Sequence, residues 1–382
     1  MKSSLLILLF LCSVFSVTAQ QSGKIDDAQL MDYFQSQRYP DALEYLRKTF
    51  PEPVQDVKIL SRMGYVAQLA NKLPDAEGYY QRVFQLDTTN QTALYNMAGI
   101  NVRRGNISKA ELYYTMYLAH DTTNISVYSH LGGIAQSKHD TLNAIKYYGK
   151  ANGLNPLDAD VASELGDYYT SVKRFDDALK VLNTAAAADP ENVVLLFSLM
   201  KLNYAQKKWA ETVEGCNKLM ALGITNGEIL NKLGIAYYNL KNYACGAETF
   251  AQIDGINQNE YTYYYAALCY KGLNDQRQCI EMLNKSIFQG ISPNIATYYG
   301  EIADAHEKLL QHRKAAFAYQ KALQFSESPT IYYLLASLYD SKLKDKKNAL
   351  IYYKKYLASR PSAKQEAYIT YTKSRIEQLK NN

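Results

Sequence analysis

A beat of thirty-four residues limits this chain more than any other feature. A small residue stands at Ala42, Ala76, Ala110, Ala144 and Ala178, every step being 34. The same step then meets Thr212 and Gly246, and steps of 33, 36 and 34 reach Cys279, Ala315 and Ala349. Four residues after these positions stand Leu46, Tyr80, Tyr114, Tyr148, Leu182, Cys216, Phe250, Leu283, Tyr319 and Tyr353. Twelve residues before most of them comes a second small residue: Gly64, Ala98, Gly132, Gly166, Gly234, Ala267 and Ala303. Ala336 lies thirteen before Ala349, which predicts one inserted residue between the helices of the last repeat. A fixed period of this length means one supersecondary unit repeated in tandem. Residues four apart share a helix face, and small residues recur where two helices cross closely. Pro156, Pro190 and Pro361 fall near unit ends, where a helix has to stop. A single hairpin cannot bury its apolar stripe, so the units have to stack.

The pattern resembles the tetratricopeptide repeat, W-x2-L-G-x2-Y-x8-A-x3-F-x2-A-x4-P. Leu165, Gly166, Tyr169, Ala178, Leu182, Ala185 and Pro190 follow it best. Leu131, Gly132, Ala144, Tyr148, Ala151 and Pro156 follow it too, as do Leu233, Gly234, Tyr237 and Phe250. The resemblance covers about residues 23–362. It implies an all-α fold, a right-handed superhelical solenoid of about ten helix–turn–helix repeats over 20–362, treated as one domain. Residues 363–382 are expected to cap it, with an amphipathic helix at 364–380 whose apolar residues are Ala367, Ile369 and Ile376. Two places depart from the pattern. The sixth repeat puts Met200 and Thr212 where small residues belong and Cys216 at the aromatic position. The eighth-to-ninth join, Gln289-Gly290-Ile291-Ser292-Pro293, is extended by two residues. Simple drift is the expectation for both, over defects that bend the superhelix.

The first nineteen residues read as a secretory signal. Lys2 supplies the positive start, Leu5–Phe15 the apolar run, and Val17-Thr18-Ala19 a small-residue cleavage site after Ala19. The run is shorter than the roughly 20 residues a spanning helix needs. Cys12 lies inside it behind Leu11, unlike a lipid-attachment cysteine. The Ala-Gln-Gln junction resembles export signals of the Bacteroidetes type. No other apolar run is long enough to cross a bilayer, so a periplasmic or secreted chain is expected, peripheral to the outer membrane at most.

Composition narrows the function. Apolar residues are 47% and charged residues 21%, which argues against disorder. With 35 tyrosines, 11 phenylalanines and one tryptophan, tyrosine carries the aromatic packing. Net charge is +5, or +4 without residues 1–19, too slight to suggest nucleic acid. The balance is uneven: residues 308–382 hold 15 basic and 5 acidic side chains, residues 20–307 hold 26 and 32. Lys342, Lys344, Lys346 and Lys347 cluster at the inserted turn. That basic end reads either as a solvated end of the array or as a docking point for an anionic membrane surface, lipopolysaccharide or an acidic partner.

Catalytic signatures are missing from the sequence: no H-E-x-x-H, G-x-S-x-G, G-x-x-x-x-G-K or C-x-x-C is present. His120, His130, His139, His306 and His312 show no metal-ligand spacing. His139-Asp140 reads as a helix-start contact, and His306 as a partly buried ring. No cofactor, no metal and no enzymatic activity are expected. Cys216, Cys245, Cys269 and Cys279 are expected as small buried apolar side chains, although Cys269–Cys279 or Cys245–Cys269 would be geometrically able to bridge in an exported chain.

The family resemblance implies a protein or peptide partner held along the concave face lined by the first helix of each repeat. The groove-facing candidates are Phe197, Lys201, Tyr204, Asn231, Tyr238, Tyr261, Tyr264 and Lys271. Aromatic rings give large contact area at low entropic cost; tyrosines also pack between helices, and that reading stays open. The Lys and Asn pattern by which some members bind a C-terminal carboxylate is not reproduced across neighbouring repeats. A non-catalytic envelope scaffold is therefore expected. The alternatives are a membrane-peripheral tether using the basic end, or an accessory subunit of an envelope enzyme or secretion complex.

Overall fold

The computed structural model describes residues 23–289 and 294–381. The expected signal at 1–19 and positions 290–293 of the extended join lie outside the described residues. Among the described residues there is no strand. The helices divide between Leu154 and Asn155 into two compact units. The first holds α1 (Asp27–Gln35), α2 (Tyr39–Thr49), α3 (Val57–Leu69), α4 (Leu73–Leu86), α5 (Gln91–Arg103), α6 (Ile107–Leu118), α7 (Ile125–Ser137) and α8 (Thr141–Leu154). The second holds α9 (Ala159–Ser171), α10 (Phe175–Ala186), α11 (Val193–Ala205), α12 (Trp209–Ala221), α13 (Gly227–Asn239), α14 (Tyr243–Ala251), α15 (Glu260–Gly272) and α16 (Gln276–Phe288). It continues through α17 (Ile295–Lys308), α18 (His312–Phe325), α19 (Pro329–Ser341), α20 (Lys346–Ala358), a short 3-10 turn (Ala363–Gln365) and α21 (Glu366–Asn381). Among the described residues the helices form a tandem array of hairpins, ten pairs and a terminal helix, as the period predicts.

The first helix of every pair except α17–α18 begins on a side-chain cap. Asp56, Asn90, Asn124, Asp158, Asn192 and Asn226 stand 34 residues apart, and each accepts a hydrogen bond from a backbone N–H in the first turn. Asn259 and Ser328 do the same further on. Each cap satisfies a donor that the helix cannot, worth about 1 kcal/mol.

The hairpins close differently. Three residues join each pair, and the middle one is left-handed: Gln37, Asn71, Gly105, His139, Lys173, Lys207, Lys241, Asn274 and Leu310. The N–H of the next residue then reaches back five positions, as from Lys72 to the Ala67 carbonyl and from Arg174 to the Tyr169 carbonyl, both 2.8 Å. This closure satisfies carbonyls at the end of the first helix. In the last hairpin the joint has four residues, the left-handed one is Lys344, and Asp345 N–H reaches six back to the Tyr339 carbonyl at 2.9 Å. The predicted insertion is therefore absorbed in the turn, and both helices keep their register.

Leu310 is the costly member of this set, a branched side chain in the left-handed region and 76% exposed. Leu310→Asn is expected to raise stability by about 0.5–1 kcal/mol, because asparagine tolerates that conformation better. A higher denaturant midpoint is the readout, and an unchanged or lower one contradicts the strain.

The repeat rule sets the core. Gly64 faces Tyr80, Gly132 faces Tyr148, Gly166 faces Leu182 and Gly234 faces Phe250, each pair sixteen residues apart. A Cβ on these glycines would lie 2.6–2.8 Å from the facing side chain. The sixth repeat reverses the arrangement. Met200 is buried on the first helix, and Gly215 and Cys216 supply the small side chains on the second; a Cβ on Gly215 would stand 3.1 Å from the Met200 Cβ. Large and small have exchanged helices with volume roughly kept, the kind of change cores tolerate best. The departure is a compensated swap.

The terminal helix α21 packs mainly through Thr372, Ile376 and Leu379, all buried, with Ile369 half-buried. Ala367, expected on the apolar face, is exposed. It lies about 140° around the helix from Thr372, so it points away when the 372–376–379 stripe turns inward. Arg375 fixes the helix, its guanidinium donating to both Asp340 oxygens at 2.7 and 2.8 Å. The Tyr353 hydroxyl donates to Asp340 at 3.3 Å, and the Tyr333 ring meets Tyr353, Tyr356, Tyr368 and Tyr371.

Candidate partner-binding face

The predicted groove residues all lie on first helices of the second unit, at positions set by the same period. Tyr204, Tyr238 and Lys271 occupy one register, Phe197, Asn231 and Tyr264 another. On α11, the Lys201 ammonium stands 5.1 Å over the Phe197 ring and pairs with Asp167 on α9. Asp167 and Lys201 are 34 apart, so this ion pair joins equivalent positions of neighbouring repeats. Lys232 on α13 lies 5.0 Å over the Tyr204 ring and pairs with Glu228 at 3.0 Å. Tyr204 also meets Trp209 edge-on at 5.6 Å.

Further along, four rings are connected across three helices. Tyr238 meets Tyr265 at 5.7 Å, Tyr265 meets Tyr264 at 5.7 Å, and Tyr264 meets Tyr298 at 4.9 Å. Tyr204, Tyr238 and Tyr264 are half-buried. Burial raises the phenol pKa of all three, that of Tyr264 to about 12. These rings therefore pack between repeats while showing one edge. Asn231 is engaged as well: its Nδ2 donates to the Gly227 carbonyl at 2.9 Å, and its Oδ1 accepts from Thr262 Oγ1 at 3.0 Å. Tyr261, at the start of α15, is the exposed aromatic of the set at 57%.

Lys271 leads into a cleft of about 820 Å³, lined also by Gly300, Glu301, Asp304, Glu307, Ser328 and Leu334. Its ammonium pairs with Glu301 at 2.5 Å and Asp304 at 2.8 Å. Burial works against the charge, but the two carboxylates outweigh it and hold the Lys271 pKa above the ordinary lysine value. Burial likewise opposes the Asp304 charge, and Lys271 and Lys308 overcome it, so that carboxyl lies below its usual value. Asp167, Tyr265, Glu301 and Asp304 escaped the sequence reading. The repeat spacing from Lys201 back to Asp167 was the available signal for the first of them.

The remaining polar candidates have structural partners. His139 is the left-handed turn residue, and Asp140 begins α8 by accepting from Asn143 N–H at 3.1 Å. His306 bonds Gln311 through Nδ1 at 2.9 Å. Cys216, Cys245, Cys269 and Cys279 are unbridged; burial pushes the thiols of Cys216 and Cys269 up to about 12 and that of Cys279 to about 11. A thiol so shifted carries almost no reactive thiolate near neutrality. Lys342, Lys344, Lys346 and Lys347 are exposed around the four-residue turn. No group of three His, Cys, Asp or Glu able to hold a metal occurs among the described residues.

A hairpin array whose first helices carry small residues against second-helix aromatics defines a class of helical repeat scaffold. Sequence comparison places it: the tetratricopeptide repeat model matches residues 134–193 and again 329–362. These two stretches are tetratricopeptide repeats, a unit whose proteins generally bind protein or peptide partners. A search of curated proteins finds no match. Among solved structures, the chain is similar to a tetratricopeptide repeat protein from Parabacteroides merdae, at 16% identity and TM-score 0.39, over 75% of this chain and 99% of that one. It is similar to YrrB, described as having an unusual peptide-binding site, at 16% identity and TM-score 0.35 over 73% and 99%. It is also similar to PilF of Pseudomonas aeruginosa, at 15% identity and TM-score 0.43 over 51% and 89%.

Proposed function

We propose that this chain is a non-catalytic scaffold of the cell envelope that holds a peptide or protein segment along the first-helix face of its second unit. One observation carries the reading: half-buried rings and ion pairs on α11, α13 and α15 lead into the open cleft between α17 and α19. The ion pairs make the face rigid before a partner arrives, which lowers the cost of ordering it. Aromatic edges supply contact area, and the cleft supplies polar groups to set register.

Tyr261→Ala combined with Leu334→Ala is the sharpest test, since both side chains are exposed. Cross-linked capture of the partner from the native envelope fraction should fall about tenfold, with helicity and melting unchanged. Undiminished capture removes the first-helix face from the reading. Export is a separate part of the proposal, resting on residues 1–19; N-terminal sequencing of the periplasmic or secreted protein should begin at Gln20.

A further inference from the structure

Two neighbouring helices of the second unit carry charge of one sign. Together α18 and α20 hold Arg313, Lys314, Lys321, Lys346, Lys347, Lys354 and Lys355, with no aspartate or glutamate. The alternate helices α17 and α19 hold Glu301, Asp304, Glu307 and Asp340 against Lys308. The strong positive balance of the C-terminal end is thus sorted by helix: second helices basic, first helices acidic. Gln320 on α18 donates to the Tyr352 hydroxyl on α20 at 3.3 Å, so the two basic helices lie within side-chain reach of each other. Among the described residues, none of the seven cations forms an ion pair, whereas Lys271, Lys308 and Arg375 nearby all do.

Apolar side chains stand among these cations. Phe317 is 61% exposed and Ile351 41%, and Leu310 projects from the turn that starts α18. Lys321 lies 5.7 Å from the Phe317 ring. Unpaired cations interspersed with exposed apolar side chains make the pattern of a helix face that lies on a membrane surface. A protein partner fits less well, because interfaces favour arginine and are depleted in lysine, and this face has six lysines to one arginine.

We propose that the α18–α20 face docks on an anionic lipid bilayer. Lysine ammonium groups meet the headgroup charge, and Phe317 and Ile351 enter the boundary beneath it. Glu301, Asp304 and Glu307 line the cleft on the first-helix face, so docking through the second helices leaves that cleft uncovered. This inference is independent of the partner-binding reading and uses none of its residues.

The test is co-sedimentation of the mature chain, residues 20–382, with vesicles of phosphatidylcholine alone, and of phosphatidylcholine with phosphatidylglycerol, at low and high salt. Selective binding to the anionic vesicles that weakens with salt is expected. The variant K314E/K321E/K347E/K354E should bind at least about six-hundredfold more weakly, at about fivefold per cation removed. F317S/I351S, with every charge kept, should bind about tenfold more weakly. Equal binding to both vesicle types, salt-insensitive binding, or an unaffected charge variant overturns the proposal. Binding of polyglutamate in the absence of vesicle binding overturns it in favour of an acidic protein partner. If the charge-reversed chain loses helicity, lysine-to-glutamine changes at the same four positions replace it, with the same two outcomes.

Discussion

Gly132→Val should destabilise the first unit by about 3 kcal/mol, and by less than that when it is made in a Tyr148→Ala background. The expectation follows from one close approach. A Cβ at Gly132 would stand 2.8 Å from three atoms of the Tyr148 ring, on the facing helix of the same hairpin. Valine adds three carbons where the first already collides. Overpacking of this kind costs about 1–3 kcal/mol through displaced backbone and strained rotamers. Tyr148→Ala alone leaves a cavity and costs about 3–5 kcal/mol. Together the two changes fill each other's space, so the double variant should lose less than the sum, by about 0.5–3 kcal/mol. Denaturant midpoints of the four chains measure this. Strict additivity would mean that the ring is not what excludes a side chain at Gly132.

Arg375→Met should cost about 2 kcal/mol, at the lower end for a buried pair because Arg375 is one-third exposed. The loss comes from stranding Asp340, which is 9% exposed and would keep only the Tyr353 hydroxyl. Replacing both partners, Asp340→Asn with Arg375→Met, should cost less than the single change, since no charge is then buried alone. The pair also has a pH signature. The Arg375 hydrogen bond, followed by its charge, lowers the Asp340 pKa below 3.8 against the opposing effect of burial. A lowered folded-state pKa stabilises above the unfolded value and loses that stability as pH falls through the folded one. The gap between wild type and Arg375→Met should therefore be full at pH 7 and shrink below about pH 4. A gap that is constant with pH would show that Arg375 acts through packing alone.

Most of the fold was readable from spacing, because one local rule recurs in each hairpin. The glycines facing Tyr80, Tyr148, Leu182 and Phe250 stand sixteen residues before their partners, so the helix–helix contact is encoded within one repeat. The left-handed turns and the Asx caps follow nearly the same period, but the turn positions share no residue type, so the structure was needed to show them. The inserted residue before Ala349 was visible as a spacing of thirteen, and it sits in the turn where the sequence places it.

The candidate face was less legible, since the groove tyrosines have the same residue type as core tyrosines. Tyr261 and Tyr264 are three residues apart on one helix, yet Tyr261 is exposed and Tyr264 packs against Tyr298 of a later repeat. Only the stacking of neighbouring hairpins separates them. The same holds for Met200 and Cys216, which read as departures until Gly215 is seen against Met200.

Sequence alone determined the repeating hairpin, the number of repeats and the inserted residue of the last one, because each depends on residues less than one repeat apart. Tertiary structure decided which tyrosines remain exposed, which cations stay unpaired and which stripe of α21 turns inward. Those outcomes depend on what the neighbouring helix presents, and no spacing within one helix specifies it.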